Sequence, residues 1–281
     1  MTSLPRNTDK PTVEGFGREW STFTQSAEAF TDADRRAMFD GYFAIFPWDR
    51  LPPNSVGADI GCGSGRWAMV VAPRVGHLHV IDPAADALAV ARGNLAGLGN
   101  VSSHQASVSA LPLADGSLDF AYALGVLHHV PDTAQAIRDV AAKLKPGAPF
   151  LVYLYYAFDN RSAGYRLLWK ISNAGRLILS RAPYPLQIVA TTVIAYTVYW
   201  PITRLAALLE KLGKLPRSWP LTYYRHRALY VMRTDAFDRF CTRLEQRFTR
   251  AQIVDMLRAA GFDNITFSET EPFWVAVANK I

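Results

Sequence analysis

The chain has 281 residues, half of them apolar, and a formal net charge of +6; this allows one large α/β domain or two small ones and excludes wholesale disorder. Two cysteines, Cys62 and Cys241, supply neither a disulfide framework nor a zinc ligand set, so a reducing cytoplasm is the expected compartment. The charge is uneven: residues 161–250 hold sixteen Lys/Arg against four Asp/Glu, a net of +12, and the remainder carries fourteen against twenty, a net of −6. A basic segment of that kind suits nucleic acid, anionic lipid or an anionic small molecule.

In chain order, residues 1–17, rich in Thr, Pro and Gly, read as a flexible lead-in without the apolar run of a secretory signal. Apolar residues at helical spacing over Asp32–Phe46 predict a helix, completing an N-terminal helical segment over 1–50. From Val56 strands and helices alternate. VGADI, HLHVID, a weak VSSHQ, FAYAL and FLVY read as strands, separated by helical patterns such as ADALAVARGNLAGLG and DTAQAIRDVAAKL. After about ninety residues without a clear strand, TRAQIVDMLRAAGF reads as a helix opened by Thr249 and stopped by Gly261, followed by two last strands. The alternation predicts a doubly wound, mostly parallel, seven-stranded sheet. Its core spans 51–156 and 249–281, with a helical, basic and apolar cap inserted over 157–248, after the fifth strand.

The stretch DIGCGSG places Gly61, Gly63 and Gly65 between the first strand and the next helix. Glycine there permits a sharp turn and close approach to a ligand. No Lys-Ser/Thr follows, so this is not a triphosphate loop. Seventeen residues after Gly65, at the end of the second strand, stands Asp82, an acidic group placed to accept both hydroxyls of a ribose.

Four stretches, VGADIGCGSGRWA, VIDPA, ALPLADGSLDFAYALGVLHHVPD and KLKPGAPFLV, resemble in order and spacing the class I S-adenosylmethionine-dependent methyltransferases, in the branch that includes ubiquinone and menaquinone biosynthesis enzymes. The resemblance covers 56–155 and extends through the last helix and two strands. It implies a Rossmann-like methyltransferase fold, S-adenosylmethionine as cofactor, and roles for particular positions. Asp59, Gly61, Cys62, Gly63 and Gly65 would shape the loop around the methionine part, Cys62 as a small packing residue rather than a nucleophile. Asp82 would hold the ribose, with Pro83 beside the adenine. Where the family carries an acidic residue for the adenine amino group this chain has Ser107, a weaker acceptor than a carboxylate. The backbone of Val108 would reach the ring, and that of Leu124 and Gly125 the ammonium group.

His128 and His129, at the end of the fourth strand, are the catalytic candidates. Methyl transfer to oxygen or carbon needs a proton removed, and His128 comes first as general base; the alternative is that one imidazole caps the turn and the other packs beneath it. No carboxylate spacing supports a metal site. Phe16–Phe23 (FGREWSTF) either folds over an acceptor or packs as an ordinary helix, and TYYRHR (222–227) either holds an anionic or aromatic acceptor or is a solvated basic face.

Between Arg181 and Arg204 no residue is charged. The run is long enough for a membrane span, yet Pro183, Pro185 and Pro201 are expected to interrupt it, and threonines, tyrosines and a glutamine dilute it. A soluble or peripherally attached cap over the acceptor is expected; its basic residues either meet a phosphate, a carboxylate or anionic lipid headgroups or are merely solvated. The function that follows is methyl transfer to a lipophilic small molecule, neutral or anionic, such as a quinone, isoprenoid, polyketide or lipid, held under the cap. An RNA or protein methyltransferase is the rival; against it, the Asn/Asp-Pro-Pro-aromatic signature common in nucleic-acid enzymes of this fold is missing after strand four. A non-catalytic cofactor-binding scaffold is the third reading.

Overall fold

The computed structural model describes residues 7–25, 31–159, 161–216, 219–270 and 272–281; the first six residues of the expected lead-in lie outside them. Helices α1 (Lys10–Thr22) and α2 (Asp32–Tyr42) precede β1 (Val56–Ile60), α3 (Ala68–Val71), β2 (His77–Asp82), α4 (Ala85–Asn94), β3 (Val101–Gln105), β4 (Phe120–Leu124), α5 (Thr133–Ala141) and β5 (Pro149–Tyr153). Then come α6 (Ala163–Leu179), α7 (Tyr184–Ile194), α8 (Trp200–Lys211), α9 (Leu229–Cys241), α10 (Arg250–Ala259), β6 (Phe262–Phe267) and β7 (Val275–Lys280). The expected flexible lead-in is helical from Lys10 on. Asp9 caps α1 by accepting from the Thr12 N–H, and Pro11 sits in its first turn, where a missing N–H costs nothing.

Two compact units result. The first comprises Met1–Thr24, Arg35–Asn160 and Leu244–Ile281. Its sheet has the order β3-β2-β1-β4-β5-β7-β6. Strands β1 to β5 pair in parallel, and β7 runs antiparallel to both its neighbours. Strand β4 shows how the two faces are filled. Ala121 and Ala123 face a core with Ile137, Val140 and Leu257. Phe120 and Tyr122 meet Phe46 and Phe43, with ring centroids 5.8 and 5.2 Å apart. Helix α10 starts on a capping box in which Gln252 N–H donates to Thr249 Oγ1 and Thr249 N–H to Gln252 Oε1, and Gly261 follows it at φ +81°.

The second unit comprises Gln25–Asp34 and Arg161–Arg243, so it draws in residues before β1 that the insertion alone does not predict. The Gln25 N–H donates to the Tyr230 hydroxyl at 2.9 Å. Helix α9 packs against α6 and α7, and the buried Arg176 of α6 donates to the carbonyls of Thr242 and Arg243. The prolines do not interrupt the apolar run. Pro185 lies in the first turn of α7. A π-turn over Ala195–Tyr199 joins α7 to α8 in a continuous helix, Tyr184–Lys211, of 28 residues. Proline inside a helix lacks one donor and crowds the carbonyl four residues back. The π-turn, with the Trp200 N–H reaching Ala195 O, opens the ladder just where Pro201 requires it. Among the described residues this is the one helix long and apolar enough to cross a membrane by length and composition, and 22% of its most apolar window is buried.

Within the first unit, Gly57 of β1 is in register with Phe120 of β4, whose ring covers the glycine so closely that an added Cβ would overlap it. Gly57→Ala should therefore lower stability by about 1–3 kcal/mol, the usual cost of overpacking, measured as a fall in the urea midpoint at unchanged m-value.

Candidate functional site

The strand order reverses between β1 and β4, the switch point at which open α/β sheets bind ligands beyond their carboxyl ends. The glycine loop leaves β1 there and is folded by its own backbone. Gly61 and Cys62 N–H both donate to Ile81 O, at 2.7 and 3.0 Å, and Gly65 N–H to Cys62 O at 2.8 Å. Asp82 ties this loop to the next: Oδ2 accepts from Gly63 N–H and Oδ1 from Ala84 N–H, each at 2.9 Å. Asn94 of α4 donates to Ser64 O and to Thr24 O, joining the loop to the end of α1.

Gly61, Gly63 and Gly65 have φ of +75°, +54° and +76°, a region closed to most side chains. An added Cβ would overlap Val126 at Gly61 and the Trp20 indole at Gly63, and would crowd Leu95 and Ala91 at Gly65. The glycines thus admit the protein's own side chains, and α1 closes over the loop through Trp20. Arg66 lies against both Trp20 and Trp67, its Cζ 5.4 and 4.5 Å from their rings.

Asp59, on β1 beneath the loop, is buried. Its Oδ2 has no hydrogen-bond partner of good geometry, and neither has the hydroxyl of its neighbour Tyr122. Burial pushes the Asp59 pKa up to about 8; Tyr122 and Arg66 favour the carboxylate, and Asp82 opposes it. Asp82 is pushed up to about 6, again by burial, with the Ala84 and Gly63 amides working against it. Cys62 is buried and its thiol is raised well above the usual range, which leaves it unreactive. Beyond β3, Ser107 is buried with its Oγ 3.0 Å from Ser109 Oγ, and Val108 is buried beside it. Pro83 is half-buried next to Asp82. Leu124 ends β4, and Gly125, at φ +79°, donates its N–H to Tyr153 O. The structure thus gathers the loop and Asp59, Asp82, Ser107, Val108, Leu124 and Gly125 along the carboxyl ends of four adjacent strands, β3-β2-β1-β4.

His128 and His129 follow in a 3₁₀ turn. His128 is fully buried, stacked on Tyr155 at 3.9 Å between centroids, and neither ring nitrogen has a hydrogen-bond partner. Burial, then His129 and Arg247, hold its pKa well below the ordinary imidazole value. His129 donates from Nδ1 to Leu244 O at 2.7 Å, since a carbonyl can only accept, and its ring lies 4.9 Å from that of Phe16. Residues 244–248 latch the turn: Gln246 N–H donates to His128 O, its Nε2 to Val130 O, and Arg247 lies over the Tyr155 ring. Asn94, Arg66, Tyr122 and this latch escape sequence reasoning, because nothing in their local pattern marks them. Among the described residues no group of three or more His, Cys, Asp or Glu is placed to hold a metal ion.

Strand order, glycine loop and acidic residue at the end of β2 define a class I S-adenosylmethionine-dependent methyltransferase domain. Residues 58–152 match the family model described as a methyltransferase domain. The chain is 33% identical over 104 residues to an uncharacterized methyltransferase of Bacillus subtilis (strain 168), covering 36% of this chain and 41% of that one. It is 35% identical over 107 residues to a ubiquinone biosynthesis O-methyltransferase of Albidiferax ferrireducens, covering 37% and 41%. The chain therefore aligns with less than half the length of either relative. A solved SAM-dependent methyltransferase of Thermotoga maritima shares the fold at 15% identity and a TM-score of 0.51, covering 96% of this chain and 100% of that one. The cofactor of the domain is S-adenosylmethionine. The residues fit it: the buried carboxyl of Asp59, whose Oδ2 lacks a well-formed hydrogen bond, suits a cation, and each Asp82 oxygen keeps a lone pair for a hydroxyl.

Two measurements follow. Near neutral pH, Asp59 holds a proton that a cationic ligand should expel, so binding should release a proton and tighten with rising pH up to about 8. Calorimetry in buffers of different ionisation enthalpy should show the release in the wild type and its loss in Asp59→Asn. His128 has the opposite linkage. Its folded pKa is depressed, so below about 6.5 the unfolded chain takes up a proton that the folded chain refuses, and stability falls as pH falls. His128→Phe, which keeps the stacking on Tyr155, should flatten that acid limb by up to about 1.4 kcal/mol per pH unit in urea titrations.

Proposed function

We propose that the chain transfers the methyl group of S-adenosylmethionine to a lipophilic small molecule of the quinone, isoprenoid, polyketide or lipid class. The observation that carries the reading is the pair of desolvated carboxyls, Asp59 and Asp82, at the switch point of the sheet. Burying such groups costs stability unless a ligand completes them. Bound there, the cofactor supplies a methyl already activated on a sulfonium, which leaves the protein to align the acceptor and exclude water. In this reading Asp82 holds the ribose hydroxyls, Ser107 and the Val108 backbone meet the adenine beside Pro83, and the Leu124–Gly125 backbone and Asp59 meet the ammonium end.

The acceptor side is aromatic. Tyr42, Tyr153, Tyr155, His128, His129 and Phe16 form a chain of ring contacts with neighbouring centroids 3.9–5.9 Å apart, which favours a flat, apolar acceptor. His128 is proposed to accept the acceptor's proton. It stays neutral across physiological pH, so it is always in the accepting form, but burial makes it a weak base. A phenolic hydroxyl, near the tyrosine value of about 10, asks less of such a base than an aliphatic alcohol. The relationship to a ubiquinone O-methyltransferase supports the same choice.

The test is to incubate the protein with methyl-labelled cofactor and a native lipid extract and to identify the labelled product. A labelled apolar small molecule is expected. Asp82→Ala should weaken S-adenosylhomocysteine binding by about 1–3 kcal/mol, and His128→Ala should lower kcat roughly 10²-fold with cofactor affinity near normal. Label in RNA or protein would favour the docking-enzyme reading, and binding without turnover on any extract the scaffold reading.

A further inference from the structure

The second unit carries its apolar side chains on the wrong side for a soluble helix. Along the continuous helix Tyr184–Lys211, the buried positions are Gln187, Thr191, Ala195, Tyr199, Thr203 and Ala206. The exposed stripe between them is Leu186, Val189, Val193, Tyr196 and Trp200. Polar and small residues face the protein while the larger aliphatics face outward, the reverse of ordinary amphipathic packing. Leu205, Leu208 and Leu212 extend the exposed set. Helix α6 repeats the pattern: Arg176 is its buried residue, and Leu167, Leu168, Ile171 and Ile178 are exposed. Among the described residues, fourteen of the fifteen large exposed hydrophobic residues lie between Leu167 and Leu212; the other is Ile281. Scattered exposed aliphatics need no explanation, but a concentration on two successive helices does.

The charge selects the occupant. From residue 160 to residue 209 there is no Asp or Glu, while Arg161, Arg166, Lys170, Arg176, Arg181 and Arg204 are basic. Of these all but Arg161 and Arg176 are exposed. A second copy placed on this face would oppose like charges with no acid to relieve them, whereas anionic lipid headgroups complement it. The depth is limited by α9. That helix packs on α6 and α7 and carries Arg233, Asp235, Asp238 and Arg239; a full crossing would take these charges into hydrocarbon, at a cost the apolar stripe does not offset.

We propose that α6 and the helix Tyr184–Lys211 form a docking face for an anionic bilayer, lying in the plane of one leaflet with the Leu186–Trp200 stripe in the acyl boundary and the flanking Arg and Lys at the headgroups. Docking of this kind is independent of the methyl acceptor and of the chemistry of the site.

The experiment is flotation of the full chain with vesicles of phosphatidylcholine alone and with 30% phosphatidylglycerol, for the wild type and for V189E/V193E. Both valines are exposed, so folding should survive; circular dichroism and S-adenosylhomocysteine affinity check this. Expected are at least tenfold stronger partitioning into the anionic vesicles, weakening with added salt, a further tenfold or greater loss in V189E/V193E, and release by carbonate. Equal binding of wild type and V189E/V193E would overturn the proposal, because the stripe would then not be the contact. So would a wild-type dimer, dissociated by V189E/V193E and indifferent to vesicles. Resistance to carbonate with release only by detergent would replace in-plane docking with a span.

Discussion

Everything at the switch point hangs on Asp82. Its two oxygens accept from Gly63 and Ala84 N–H, so one side chain fixes the glycine loop after β1 and the turn that starts α4. A carboxylate with both oxygens bonded to backbone amides is an effective clamp in low dielectric, since charge-assisted bonds are roughly twice as strong as neutral ones. Yet the group is buried enough to resist ionisation, with a pKa near 6. The same group therefore sets the shape of the loop and makes that shape sensitive to protonation. Asp59 beneath it is a still more desolvated carboxyl without a strong partner. A free protein that keeps two such groups is less stable than one with aliphatics in their place, a pattern expected where a site rather than a core is being maintained.

The framework around that clamp was legible because it follows periodic rules. Short apolar runs of strand length, alternating with helical patterns, gave seven strands, and Thr249 and Gly261 marked both ends of α10. The glycine loop was legible too, though its glycines make room for Val126, Trp20 and Leu95 as well as turning the chain. What sequence could not show is what arrives from far along the chain. His128 looks like an accessible base because it follows a strand at the ligand edge. Its burial depends on Tyr155 and on the latch at 244–248, more than a hundred residues away. The burial of Asp59 with Oδ2 left without a well-formed bond is equally invisible, since it rests on the geometry of Tyr122. Two local signals were present but outweighed: the Asp9 cap with Pro11 that starts α1, and a helical pattern continuing on both sides of Pro201.

The two units also differ in the kind of order they contain. The first is held by a dense core in which the parallel strands contribute alternately to both faces. Among the described residues the second has a cluster of Ala195, Tyr199, Met232 and Ala236, with Ala206, Val231, Phe237 and Cys241 also buried, supplemented by side-chain bonds to backbone such as those of Arg176 and Gln187.

The π-turn ahead of Pro201 does more than tolerate a proline. In an ordinary α-helix, residues four apart drift by ~40° per step around the axis. Over the four steps from Gln187 to Thr203 that drift would reach ~160°, enough to carry Thr203 to the opposite side. The residue inserted by the π-turn winds the later part back by ~100°, which brings the face near Thr203 close to that of Gln187 again. The turn is thus a phase correction. It lets a sequence with a four-residue repeat present one polar side and one apolar side over 28 residues, and a chain lacking that single extra residue would spiral its leucines and valines around the helix instead of aligning them.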